Sequence, residues 1–245
     1  MTIHKYFPVF LFSVIGWVAQ AQDDDDGFIR QQKDIIVKDT LDTRYFEDQF
    51  YLGVTYNLLT PKADNVAQQN LSRGILFGFQ KDIPLNERRN VGLGVGIGYS
   101  YDLIYSNMVA LRINGVTNYS IVESLSDEGL SKNYFETQTL EFPIEFRWRT
   151  STAESHKFWR VYTGVRLGYM FNGKNLFKRD DLKISFKNPD LSRKWQFKIY
   201  TAFGYNTWNF FVQYTLTPLL KDAVTTDNIS LKSNTLQMGL MFYIL

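Results

Sequence analysis

Val91-Gly92-Leu93-Gly94-Val95-Gly96-Ile97-Gly98-Tyr99-Ser100-Tyr101-Asp102 alternates large apolar residues with glycines or small polar ones, position by position. Successive side chains of an extended chain point to opposite faces, so the stretch reads as a β-strand with one greasy face and one nearly bare one. A glycine-rich phosphate loop is excluded, because strict G-x-G-x-G lacks the G-x-G-x-x-G spacing and opens no helix.

The same period recurs on both sides of this strand. Phe50, Leu52, Val54, Tyr56 and Leu58 alternate with Tyr51, Gly53, Thr55 and Asn57, and Ile75, Phe77, Phe79 and Ile83 stand against Gly74, Gly78, Gln80 and Asp82. Downstream, Leu140, Phe142, Ile144, Phe146 and Trp148 alternate with Thr139, Glu141, Pro143, Glu145, Arg147 and Arg149. Trp159, Val161, Val165, Leu167, Tyr169 and Phe171 alternate with Arg160, Tyr162, Gly164, Arg166 and Gly168. Residues 195–205, 208–216 and 236–244 complete a set of eight strands.

Volume decides which face points outward. The apolar faces add up to roughly forty large side chains, and the interior of an eight-stranded barrel takes only a modest filling. The apolar set therefore faces out and the glycines and charges face in. Gly92, Gly94, Gly96 and Gly98 are expected to make room for long lumenal partners such as Arg160, Arg166 and Tyr200. A two-sheet sandwich would instead carry many Lys and Glu on its outer faces. The fold expected is all-β: an eight-stranded antiparallel transmembrane β-barrel of outer-membrane type.

Connection lengths point the same way. The links run about 10, 7, nearly 30, 8, over 20, two (Asn206-Thr207) and nearly 20 residues, long and short in turn. Outer-membrane barrels have short periplasmic turns and long extracellular loops, and an even strand number puts both termini on the periplasmic side. Trp148, Trp159, Tyr205 and Trp208 then sit beside the short turns, and Tyr99, Tyr101, Phe171 and Trp195 near the long loops, as two membrane-interface girdles. Strands of 9 to 11 residues tilted by about 40° span an apolar band of about 25 Å.

The composition excludes much other chemistry. With no Cys there is no disulfide scaffold, thiolate metal site or cysteine nucleophile. His4 and His156 are the only histidines, and neither a metal site nor a bound cofactor is expected. Mean hydropathy is −0.24. Beyond the N-terminus no 18-residue apolar run suggests a membrane helix. Residues 1–21 read as a signal peptide: Lys5, an apolar run to Val18, and Ala19-Gln20-Ala21 before Gln22. Its removal leaves a charge of 26 − 25 = +1, which argues against nucleic acid as a partner. Residues 22–48, with Asp23-Asp24-Asp25-Asp26, read as a polar periplasmic leader without the ligand spacing of a calcium loop. The barrel itself is expected over residues 49–245.

Pairing Arg149 with Phe158 across the short turn 150–157 would set Glu145 opposite Tyr162, Glu141 opposite Arg166 and Arg147 beside Arg160, with Glu145 diagonal to Arg160. A lumenal ion network of Glu141, Glu145, Arg147, Arg160, Arg166 and Lys198 follows, and in so narrow a bore it reads as a plug and not a selectivity filter. His156 falls in that turn, at the wrong end for lipid A chemistry, so no enzyme is expected. The loop from 172 to 194 carries Lys174, Lys178, Arg179, Lys183, Lys187, Arg193 and Lys194 against Asp180, Asp181 and Asp190. Outer-membrane lipid and anionic lipopolysaccharide are the partners this suggests.

The Ala-Gln-Ala/Gln junction, the stretch Thr139-Leu140-Glu141-Phe142-Pro143-Ile144-Glu145-Phe146-Arg147-Trp148-Arg149-Thr150, and Phe203-Gly204-Tyr205-Asn206-Thr207-Trp208 resemble the PorT-like, porin-like outer-membrane β-barrel family of Bacteroidetes. The resemblance covers essentially all of residues 22–245, and its most specific part is the L-E-x-P-x-E-F-R-x-R stretch from Leu140 to Arg149. The family shares its proline, Pro143, which is lumen-facing and expected to mark a bulge. It implies a small outer-membrane barrel without catalytic residues. The founding member is implicated in type IX protein secretion, so a non-enzymatic structural or interaction role in the cell envelope, an accessory barrel of that system with secretion proteins as partners, and a small porin are the roles it leaves open.

Overall fold

Extended, β-branched and aromatic-rich segments dominate the chain, and the computed structural model forms eleven strands among the residues it describes. It describes residues 48–244, apart from 69, 124, 127, 128, 151–157, 180, 181, 189, 190, 192 and 227. The expected signal peptide and leader lie outside the described residues, as does His156, except that Asp48, the leader's expected last residue, opens the first strand. The strands are β1 (Asp48–Leu59), β2 (Arg73–Pro84), β3 (Val91–Tyr105), β4 (Met108–Ile113), β5 (Val116–Ile121), β6 (Leu130–Arg149), β7 (Trp159–Arg179), β8 (Leu182–Lys187), β9 (Trp195–Tyr205), β10 (Trp208–Thr215) and β11 (Thr235–Ile244).

Eight of them close a barrel. Around the ring the order is β6, β3, β2, β1, β11, β10, β9, β7 and back to β6, every pair antiparallel. The closing pair, β1 with β11, holds one register from Phe50↔Ile244 to Leu59↔Thr235. Phe50, Leu52, Ile75, Phe77, Val95, Ile97, Ile144, Phe146, Phe197 and Phe203 are exposed on the outer wall, and Tyr51, Gln80, Glu141, Arg147, Arg166 and Tyr200 are buried within. The molecule is apolar outside and polar inside, the reverse of a water-soluble core.

The loop end is more ordered than the alternation alone implied. β6 starts nine residues earlier than the alternating segment at Thr139, and β7 runs eight residues past Phe171. The expected loop of nearly 30 residues contains the β4–β5 hairpin, and the expected loop 172–194 contains β8 paired on β7. Asn114 and Gly115, with φ of 51° and 82°, form the two-residue turn of that hairpin, where positive φ at both positions matches the twist of the strands. Leu59, Ile104, Met108, Tyr119, Phe135, Leu191, Leu220 and Leu231 bury one another there. The loops thus share a hydrophobic core of their own and form a cap on the barrel.

Pro143 does not mark a bulge. The β3–β6 register is the same on both sides of it, from Val95↔Ile144 to Gly98↔Glu141, with the pairs between them missing from the ladder. A proline has no N–H to donate, so the ladder is interrupted there without an inserted residue. A bulge lies instead on β7 at Phe171, where Thr139 pairs Met170 and Gln138 pairs Asn172, and a second register shift falls between Leu130 and Lys132.

Candidate functional site

The lumenal faces of β6 and β7 carry most of the buried charge, because alternate residues of each strand point into the bore. Their register is Arg149↔Arg160, Arg147↔Tyr162, Glu145↔Gly164 and Glu141↔Gly168. It differs by two residues from the pairing of Arg149 with Phe158. An even shift keeps every side chain on its face but changes its neighbours. Arg147 is therefore not beside Arg160, and Glu145 is not diagonal to it.

Toward the loop end, Arg166 Nη1 donates to Glu141 Oε2 at 3.1 Å and Lys198 Nζ donates to Glu141 Oε1 at 2.7 Å. Beyond them, Asp102 Oδ1 accepts from Asn57 Nδ2 at 3.0 Å and Gln237 Nε2 at 2.6 Å. Toward the turn end, Arg147 donates through Nε to Glu145 at 2.7 Å, through Nη1 to Asp82 at 3.1 Å and through Nη2 to Gln80 at 2.7 Å. Arg149 Nη2 reaches the other oxygen of Asp82 at 2.6 Å, and the Tyr200 hydroxyl donates to Glu145. Glu141, Glu145, Arg147, Arg166 and Lys198 are thus brought together in two clusters.

Arg160 belongs to neither. Among the described residues it forms no ion pair, and its guanidinium lies over the rings of Phe158 at 4.6 Å and Tyr243 at 5.4 Å. The shifted register sets it against Arg149 and Gly204, with no carboxylate beside it.

Packed against the charges are the buried rings of Tyr51, Tyr162, Tyr200, Phe211 and Tyr243. The Arg166 guanidinium stands 4.2 Å from the Tyr200 ring centre, 5.1 Å from Phe211 and 5.3 Å from Tyr51. β7 and β1 lie four places apart in a ring of eight, so the contact of Arg166 with Tyr51 spans the whole bore. Gln80 on β2 and Tyr200 on β9 are opposed in the same way and are joined by a hydrogen bond of 3.5 Å.

The β3 glycines seat other partners than Arg160, Arg166 and Tyr200. A Cβ on Gly94 would lie 2.6 Å from Arg147 Nε, and one on Gly98 would overlap the Tyr51 hydroxyl. Asp82, Asp102, Gln80 and Arg149 are lumenal members that the sequence reading left out of the network. Their place on the glycine-bearing faces of β2 and β3 and on the charged face of β6 was the signal. The loop end of the lumen retains a cavity of about 20 Å³ lined by Asp102, Lys198, Gln237 and threonines, enough for one water. Among the described residues no group of His, Asp and Glu side chains is placed to hold a metal ion.

The outer rim residues are where the register puts them. Trp159 and Tyr205 pair at the turn end with ring centres 5.4 Å apart, and Trp208 packs on Phe242 at 5.4 Å. Trp148 is exposed on the same rim, and Trp195 packs on Tyr169 at 5.0 Å at the loop end.

An outward apolar wall, a closed ring of eight antiparallel strands and a buried polar bore meet in one chain, and the sequence profile described as "Outer membrane protein beta-barrel domain" matches residues 20–223. The chain belongs to that family. It is an outer-membrane β-barrel protein. None of the curated proteins matches it. Among solved structures, Ail, the attachment invasion locus protein of Yersinia pestis, is 12% identical, with 80% of this chain and 97% of that chain covered and a TM-score of 0.30. Ail in complex with the heparin analogue sucrose octasulfate gives 11% identity, 80% and 99% coverage and a TM-score of 0.29. A triple mutant of the Rhodopseudomonas blastica porin is 8% identical, with 82% and 100% coverage and a TM-score of 0.15. The family match, not these likenesses, carries the assignment.

Proposed function

We propose that this outer-membrane barrel is non-conducting and non-enzymatic, with a plugged lumen and a cap that faces the cell exterior as an interaction surface in the envelope. The observation that carries the plug is the pair of contacts across the full bore, Arg166 to Tyr51 and Gln80 to Tyr200, at the level where the two ion clusters meet. Buried, partnered charges of this kind fill a narrow barrel and hold its strands in one register.

In this reading the termini and short turns are periplasmic and the rim tryptophans sit at the two membrane surfaces. Lipopolysaccharide is the partner of the cationic outer wall above the apolar belt. There the cross-strand pairs Lys178↔Lys183 and Lys132↔Lys178 set like charges side by side, an arrangement that costs stability unless an anion lies against it, whereas Lys174 faces Lys187 on one side and Glu136 on the other. Within the family we place the chain beside the PorT-like barrels on the stretch from Thr139 to Thr150.

Planar-bilayer recording tests the plug. The wild-type protein is expected to show no stable open state, and Arg166→Ala to leak; a stable wild-type channel would overturn the proposal in favour of a porin. Deletion of the gene, scored together for loss of secreted proteins and for leakiness, tests the role: loss of secretion alone supports an accessory secretion barrel.

A further inference from the structure

Outside the lumen, a cleft of about 310 Å³ opens where the loop 216–234 meets the start of β9. Its floor is apolar, made by Leu216, Pro218, Leu220 and Ala223, and its rim carries Arg193, Lys221 and Lys232 with one carboxylate, Asp222. All three cations are exposed, and none forms an ion pair among the described residues. Three positive charges against the single carboxylate of Asp222 leave the rim with an excess of positive charge among the described residues, so it is suited to an external anion.

The position of the cleft says which anion. Leu216 is exposed on the outer wall, and its N–H bonds the carbonyl of Phe197, itself an exposed member of the apolar belt, two residues from Trp195. The cleft therefore begins where the apolar wall ends, at the height of the Trp195 and Tyr169 rings. At that height an occupant has an acyl portion against the belt and a phosphate at the basic rim.

We propose that the cleft binds the phosphorylated headgroup of a lipid of the surrounding leaflet, with Arg193, Lys221 and Lys232 holding the phosphate and Leu216 and Pro218 the first carbons below it. This assignment rests on the reading of the cap as embedded at an anionic membrane surface.

The test uses the full barrel in an uncharged detergent and native mass spectrometry with bisphosphorylated lipid A as probe. The Arg193→Gln/Lys221→Gln/Lys232→Gln variant is expected to bind about a hundredfold more weakly, since each basic residue near an anionic lipid surface contributes roughly fivefold. The wild type is expected to discriminate in the same direction against dephosphorylated lipid A, which requires no altered protein. Equal binding by wild type and variant, equal binding of the two lipids, or displacement by inorganic phosphate at equal concentration would each overturn the proposal. The orientation is read separately. The chain has no native cysteine, so Val116→Cys at the tip of the β4–β5 hairpin reports its side by labelling with a membrane-impermeant maleimide. Labelling after lysis alone would overturn the outward-facing cap and leave the detergent binding result standing.

Discussion

Glu141 is the residue on which the loop-end cluster turns. It accepts from both Arg166 and Lys198 and is fully buried, so its loss leaves two buried cations without the carboxylate they share. Breaking a buried pair by removing one partner typically costs about 3–5 kcal/mol, more than the pair contributes over an apolar substitute. Glu141→Ala is expected to lower the unfolding free energy by about that amount, measured by urea unfolding in lipid vesicles. Glu141 and Arg166 were legible as lumenal from alternation alone. Their contact was expected too, as a direct cross-strand pair; the structure makes it diagonally, across a two-residue shift in register. Arg160 shows the converse, since its face was legible and its lack of a carboxylate partner was not.

At the scale of elements, the cap is the part that alternation did not announce. The β4 strand buries three consecutive residues, Met108, Val109 and Ala110, because the loops cover both of its faces, so a period-two search passes over it. The Asn114-Gly115 turn was the local signal available. Leu191 is fully buried in the cap core, where it bridges to Leu220 and lies against Gly173. Leu191→Ala is expected to cost about 2–5 kcal/mol of local stability. Limited proteolysis is expected to cut the cap loops of this variant faster, while the heat-modifiable gel shift of the folded barrel persists. Simultaneous loss of the shift would mean that cap and barrel unfold as one unit.

For the whole molecule, the outward apolar wall ties stability to lipid. Ile97, 49% exposed, stands mid-strand on the outer face of β3. A cation placed at the midplane of a transmembrane barrel's lipid face costs about 2–4 kcal/mol, and far less near the interface. Ile97→Arg is therefore expected to destabilise the barrel by about that amount in vesicles, whereas a wall facing water would tolerate it within about 0.5 kcal/mol. The sequence by itself determined the strand faces, the number of barrel strands and the membrane class, because a period of two is a property of the extended backbone and the bulk of the apolar set exceeds any eight-stranded interior. Only the tertiary structure decided the register in which the charges meet, that side chains cross the full bore, and that the loops close into a cap with a basic cleft at its edge. Those features depend on cross-strand register and on contacts between residues far apart in the chain, such as Arg166 with Tyr51 and Leu191 with Leu220, which alternation along one strand does not encode.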